Sequence, residues 1–179
     1  MKPEVEEKLR AFGQLLATEG IKRGLLGPRE GERIWERHIL NCLPVAELIP
    51  EGATVADIGS GAGLPGIVLA IARPDLKITL IEPLQRRVDF LIEASTELPN
   101  VEVVRGKSEN LTGRKFDYVT ARAVAPLPKL VAITKHLGGT LLALKGESAQ
   151  AEMVGVKGAK LHEISVAGEP IARIVEVAR

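Results

Sequence analysis

The segment Asp57-Ile58-Gly59-Ser60-Gly61-Ala62-Gly63-Leu64-Pro65-Gly66 concentrates the residue types that hold a ligand by its backbone. Glycines let a chain turn sharply and let a ligand approach with no Cβ in the way. Two spacings can be read. Gly59, Gly61 and Gly63 form G-x-G-x-G, whereas Gly61, Gly63 and Gly66 form G-x-G-x-x-G, the pattern of dinucleotide loops. The second pattern starts two residues beyond the preceding apolar run and sets Pro65 inside the pyrophosphate-binding turn, so the first is preferred. Asp57 stands just before the first glycine, where a carboxylate can order the loop or reach an ammonium group. Glu82 follows a second apolar run, where a carboxylate can accept both hydroxyls of a ribose. Ser108-Glu109, after Arg105-Gly106-Lys107, either lends backbone groups to an adenine edge or caps the next helix. A ligand-free turn is the bland reading of the loop. Four glycines between positions 59 and 66 argue against it, because they lose chain entropy without an evident structural return.

These residues need elements to position them. Residues 3–48 read as helical: Val5, Leu9, Phe12, Leu15 and Leu16 recur at three- and four-residue spacing. Gly20 and Gly24 are expected to break this helix, and Gly27-Pro28 to turn the chain. A second amphipathic stretch carries Ile34, Trp35, Ile39, Leu40 and Leu43, and Pro44 opens a further short helix that stops before Pro50. From residue 54 the period changes. Strands are expected at 54–58, 77–81, 101–104, 116–121 and 140–144, with helices at 64–72, 84–98 and 127–136 between them. In the second helix Val88, Leu91 and Ile92 should face inward. This alternation predicts a doubly wound α/β sheet. Two more strands, 161–166 and 171–177, are joined by Ala167-Gly168-Glu169-Pro170, a link so short that they must be antiparallel. Seven strands ending in an antiparallel hairpin give the class I S-adenosylmethionine (AdoMet) methyltransferase fold, a Rossmann-like sheet. Glu82 alone does not separate that fold from a nicotinamide-binding one, but the hairpin does.

The 179 residues suffice for one structural domain, read as an N-terminal helical region, 1–50, packed on a methyltransferase core, 51–179. Lys plus Arg (24) nearly cancels Asp plus Glu (23), so any nucleic-acid contact must come from a local patch. One Trp, one Tyr and three Phe leave little for base-stacking platforms. The single cysteine, Cys42, excludes an internal disulfide framework and multi-thiolate zinc sites. No signal peptide and no membrane-length apolar run is visible, and the expectation is a cytoplasmic monomer without metal.

Trp35-Glu36-Arg37-His38-Ile39-Leu40-Asn41, the glycine loop with its Gly63-Leu64-Pro65-Gly66, Thr120-Ala121-Arg122-Ala123-Val124-Ala125 and Leu144-Lys145-Gly146 stand in that order along the chain. Over residues 23–146 they resemble the glucose-inhibited division protein B family, AdoMet-dependent methyltransferases of guanine N7 in bacterial small-subunit ribosomal RNA. The resemblance implies that Gly59, Gly61 and Leu64 line the methionine and ribose part of AdoMet, with Glu82 on the ribose hydroxyls and Asp57 beside the loop. It implies that Ser108 and Glu109 border the adenine and that Arg122 lies between cofactor and target base. Lys145 would face the RNA, and Arg37 and His38 would sit on the helix covering the cleft; Arg122, Lys145 and His38 are thus the implied catalytic set. Lys107 departs from the family's usual arginine and Asn110 from its usual acid, and a basic C-terminal tail found in many members is not seen in this sequence.

Read from the residues alone, His38 can equally be a helix-face histidine bonded to a carbonyl, and Trp35 a core anchor. Cys42 is expected on the N-terminal helical region, away from where a C5-pyrimidine nucleophile would sit. Two other functions remain open at this point: a nicotinamide-linked oxidoreductase, and a non-catalytic module of the same fold that binds RNA.

Overall fold

The computed structural model describes residues 1–165 and 171–179. Five parallel strands form first: β1 (Thr54–Ile58), β2 (Lys77–Glu82), β3 (Val101–Arg105), β4 (Tyr118–Arg122) and β5 (Thr140–Lys145). They are joined by α2 (Gly66–Ala72), α3 (Gln85–Ala94), a short turn at Ser108–Asn110, and α4 (Leu127–Thr134). A four-residue helix, α5 (Ala149–Glu152), precedes β6 (Ala159–Ile164) and β7 (Ala172–Val177). The sheet order is β3-β2-β1-β4-β5-β7-β6, and β7 runs antiparallel to both β5 and β6. The expected hairpin is therefore present, with its second strand inserted beside β5. The predicted connection 167–170, with Val166, lies outside the described residues.

Side-chain alternation divides the core between the two faces of the sheet. Val55, Ile78, Leu80 and Leu142 pack with α2, α3 and the N-terminal helices. Ala56, Ile58, Ile81, Val119 and Leu141 pack with α4 on the other face. The N-terminal helix α1 (Pro3–Leu15) buries Leu9 and Phe12 in the first cluster. It does not stop at Gly20: wider helical turns continue through Leu16–Gly20, and the chain leaves the helix at Gly24, which has φ +70°. An isolated glycine is tolerated inside a helix, and only the left-handed residue ends it.

Three further expectations are corrected. Ile92 faces solvent at 54% exposure, and Phe90 is the buried partner of Val88 and Leu91. β4 begins at Tyr118, because Asp117 instead takes the edge of β1: its carboxylate accepts from Thr54 N at 2.8 Å and Thr54 Oγ1 at 2.7 Å. The helix α3 ends at Ala94 rather than Leu98. Among the described residues no helix is long and apolar enough to cross a membrane.

The parallel register positions the candidate residues. Ile58 pairs with Ile81 and with Ala121, so Gly59, Glu82 and Arg122 all emerge at the same edge of the sheet. Glu82 pairs with Arg105, and Arg122 with Leu144, which extends that edge to Gly106 and Lys145. Ligands of open α/β sheets bind at this carboxyl edge.

Candidate active site

The loop between β1 and α2 is built from its own backbone. Ser60 N donates to Ile81 O (3.1 Å), Gly63 N to Ser60 O (2.7 Å) and Ile67 N to Gly63 O (2.8 Å). Gly59, Gly61 and Gly63 all have positive φ, a conformation that side chains with a Cβ rarely adopt. Asp57 lies wholly buried behind them. Its carboxylate accepts from Gly66 N (3.2 Å) and Thr120 Oγ1 (2.9 Å), the neighbour that the β1–β4 register provides. Burial pushes the Asp57 carboxyl up to about 6, against the bonds from Ser60, Thr120 and Gly66 that pull it down. Of the two roles open to Asp57, the geometry realises loop ordering, and its oxygens do not reach the cleft.

Glu82 closes the loop from the side. Its carboxylate accepts from Gly61 N (2.9 Å) and Leu84 N (3.0 Å), with Arg87 4.0 Å away. A carboxylate offers about four acceptor positions, so two bonds leave capacity for a pair of hydroxyls. Glu82 N–H and C=O belong to the sheet, and Gly106 N donates to its carbonyl at 3.0 Å. Glu82 thereby ties the glycine loop to the loop that carries Ser108 and Glu109. Ser108 is buried, its hydroxyl donates to Glu109 Oε2 at 2.8 Å, and its carbonyl is bonded by His136 Nε2 at 2.8 Å. Gly59, Pro83, Ser108 and Glu109 line a cavity of about 230 Å³.

A second cavity, about 550 Å³, opens at the ends of β4 and β5 and is lined by Arg37, Asn41, Arg122, Lys145 and Arg173 among others. Val124 and Ala125 border both cavities. Ala123 has φ 54°, the one non-glycine positive value among the described residues, and this turn lays Val124 on the loop: a Cβ at Gly59 would lie 2.9 Å from Val124 Cγ2. Such backbone strain persists where the surroundings enforce it, as functional sites often do.

The cations in this cavity are held. Arg122 NH2 donates to His38 Nδ1 (2.6 Å) and NH1 to Cys42 Sγ (3.5 Å). His38 Nε2 in turn meets Glu30 Oε2 at 2.7 Å. Burial, then the charge of Arg122, lowers the His38 pKa from its ordinary value, and the imidazole stays neutral at neutral pH. The Lys145 ammonium donates to Ala125 O (2.6 Å) and pairs with Glu152 Oε2 (2.8 Å). Burial would raise Glu152, but bonds from Lys145, Ser148 and Leu127 N outweigh it and hold this carboxyl below its ordinary value.

A model of the GidB family, described as rRNA small subunit methyltransferase G, matches residues 5–167. Ribosomal RNA small subunit methyltransferase G of Thermobifida fusca (strain YX) is 53% identical over 172 residues, covering 93% of this chain and 71% of that protein. The protein of the same name from Salinispora tropica is 50% identical, covering 94% of this chain and 79% of its own length. The chain belongs to the GidB family. Solved structures agree on the fold. A SAM dependent methyltransferase from Aquifex aeolicus superposes with TM-score 0.62 at 18% identity, covering 89% of this chain and 98% of that one. A methyltransferase from Geobacter sulfurreducens gives 0.63 at 14%, covering 100% and 92%.

In this GidB-family chain the residues singled out from sequence separate into three groups. Gly59, Gly61, Glu82, Ser108, Glu109 and Arg122 come together along the carboxyl edge. Asp57 and Leu64 lie behind it; Leu64 is 7% exposed and packs in the core, so its side chain does not line the cleft. Lys145 borders the larger cavity, its ammonium bonded to Ala125 O and paired with Glu152. His38 bonds a carboxylate rather than a carbonyl. Trp35 packs against the core with Arg10 stacked 4.1 Å from its ring centre. Cys42 touches Arg122 behind the cavity wall, fully buried, and desolvation pushes its thiol up to about 11, far from a reactive thiolate. Sequence reasoning missed Glu30, Glu152 and Arg173. Arg173 reaches the cavity only because β7 pairs it with Lys145, a register that no local pattern announces.

Proposed function

We propose that the chain transfers the methyl group of AdoMet to N7 of a guanine in bacterial small-subunit (16S) ribosomal RNA, acting in the cytoplasm as a monomer. The observation that carries this reading over a nicotinamide-linked one is the reversed β7 lying between β5 and β6, since nucleotide-binding sheets of the dehydrogenase type keep a parallel order. Family membership supplies the RNA substrate class.

AdoMet, when bound, supplies a methyl group already activated by its sulfonium charge. In this reading the backbone at Gly59 and Gly61 cradles its amino-acid part, the free acceptor positions of Glu82 take the ribose hydroxyls, and Ser108 with Glu109 borders the adenine. Guanine N7 has an in-plane lone pair and no proton at neutral pH, so no side chain has to act as a base. The task of the site is to hold the reacting groups in line and keep water out. Arg122, which lines the larger cavity, would bond guanine O6 or an adjacent phosphate in this reading. Arg37, exposed, and Arg173, half-buried, supply positive charge at the cavity mouth, where an unstacked base must enter. Lys145 and Glu152 act indirectly in this reading, by pinning the loop that carries Ala123 to Leu127.

Isothermal titration calorimetry with S-adenosylhomocysteine and with NAD tests the cofactor assignment. Binding of the former and none of the latter is the expected result. Tight NAD binding without S-adenosylhomocysteine would sink the reading.

A further inference from the structure

Arg122 stands at the end of β4, on the wall of the larger cavity. A free arginine side chain samples many rotamers, and fixing it forfeits that rotamer entropy. In this structure its guanidinium is fixed by an aligned row of groups that reaches away from the cavity, through His38 to Glu30. The protonation pattern of that row follows from its ends. A guanidinium only donates, so His38 Nδ1 must be the acceptor; a carboxylate only accepts, so the proton must sit on Nε2. Without Glu30 only Arg122 would keep the proton off Nδ1, and the imidazole would lose the carboxylate that holds its ring and its Nε2–H in line.

The row is rigid along its length. Glu30 is held by backbone bonds on both sides, Glu30 N to Gly27 O (3.0 Å) and Arg33 N to Glu30 O (2.9 Å). His38 is 6% exposed and rides on the wide helical turn Ile34–Leu40, whose Ile34, Ile39 and Leu40 are buried. Two further charges act on the row: Arg37, 3.5 Å from Glu30 Oε1 and 58% exposed, and Arg33, whose charge also acts on Glu30. Glu30 keeps its carboxyl below the ordinary range chiefly through the His38 bond, so it stays a full acceptor at neutral pH.

We propose that Glu30 is a positioning residue for methyl transfer: by fixing the Nε2–H form of His38, it holds the Arg122 guanidinium against the cavity that receives the base. The catalytic part of this proposal rests on the methyltransferase reading, whereas the proton arrangement can be tested without it.

Two measurements test it. Long-range nitrogen–proton NMR on the full-length protein with labelled histidine should show His38 protonated on Nε2 alone, its signals being those lost in His38→Asn. A His38 protonated on Nδ1 would overturn the proposal whether or not the enzyme is active. In methyl transfer from AdoMet to small-subunit RNA, Glu30→Ala should lower kcat roughly tenfold to a hundredfold, leaving KM for AdoMet and S-adenosylhomocysteine affinity near wild type. Glu30→Gln retains an acceptor for Nε2–H and should recover most of the rate. On an Arg122→Ala background Glu30→Ala should have no further effect, because both changes remove the same interaction. Wild-type kcat in Glu30→Ala, no recovery in a folded Glu30→Gln, or multiplied losses in the double variant would overturn it. If the wild-type protein moves no methyl group to any small-subunit RNA, the functional reading and the catalytic half fall, and the tautomer still decides the relay.

Discussion

Asp57 is a carboxylate sealed under the glycine loop, and its buried charge makes the protein's stability depend on pH. Its carboxyl is raised from 3.8 to about 6 in the folded state, chiefly by burial. Between those values the folded protein holds a proton that the unfolded chain has released, so stability falls as pH rises through this window. Above it the charged form carries the whole penalty, roughly 3 kcal/mol. Asp57→Asn keeps an oxygen for Gly66 N and an amide for Thr120, and removes the titration. The variant should therefore gain on wild type in urea unfolding as pH rises from about 4 to 6, while parallel profiles would show that Asp57 does not titrate in this way. From the sequence, the position of Asp57 before the glycines was legible, but its partner was not. Thr120 lies 63 residues further on, and only the β1–β4 register makes them neighbours. The same limit hid Glu30, which is eight residues before His38 across an irregular turn and shares no periodicity with it.

At the scale of elements, the β1–loop–α2 unit is where packing and ligand binding constrain the same glycines for different reasons. At Gly66 the constraint is close approach: a Cβ would lie 2.6 Å from Asp57 Oδ2 and overlap Leu80 Cδ2. Gly66→Ala should therefore unseat α2 from the sheet and lower unfolding stability by roughly 1–3 kcal/mol. At Gly61 space is available, the nearest atom being Gly59 O at 3.7 Å, but φ is +56°. Gly61→Val should leave a folded protein that has lost S-adenosylhomocysteine binding. Equal stability for wild type and Gly66→Ala, or retained binding in Gly61→Val, would contradict this division. These elements were readable because each apolar run is bounded by glycine, proline or charge, and because their period switches cleanly between helix and strand. The four-residue α5 escaped, being too short to show a period, and with it went Glu152 and the true partner of Lys145.

For the whole molecule, near-neutral net charge argues against broad electrostatic capture of RNA, and the structure narrows the available cations further. Lys145 is paired with Glu152 and Arg122 is bonded to His38, while Arg37 is exposed and Arg173 half-buried, each beside a glutamate. Binding to free RNA should consequently be weak, and we propose a structured ribosomal particle as the preferred substrate. The N-terminal helices share one apolar cluster with β1, β2 and α2, so we further propose that residues 1–50 and 51–179 unfold together. Methyl transfer to guanine N7 can be read out at the modified nucleotide itself. Labelled AdoMet is incubated with naked 16S RNA, isolated small subunits and assembled ribosomes, followed by mapping of the labelled nucleotide. Label is expected in N7-methylguanosine of the small-subunit RNA, strongest on a particle and lost with Arg122→Ala. Label at any other atom, or none on any of the three substrates, would contradict it.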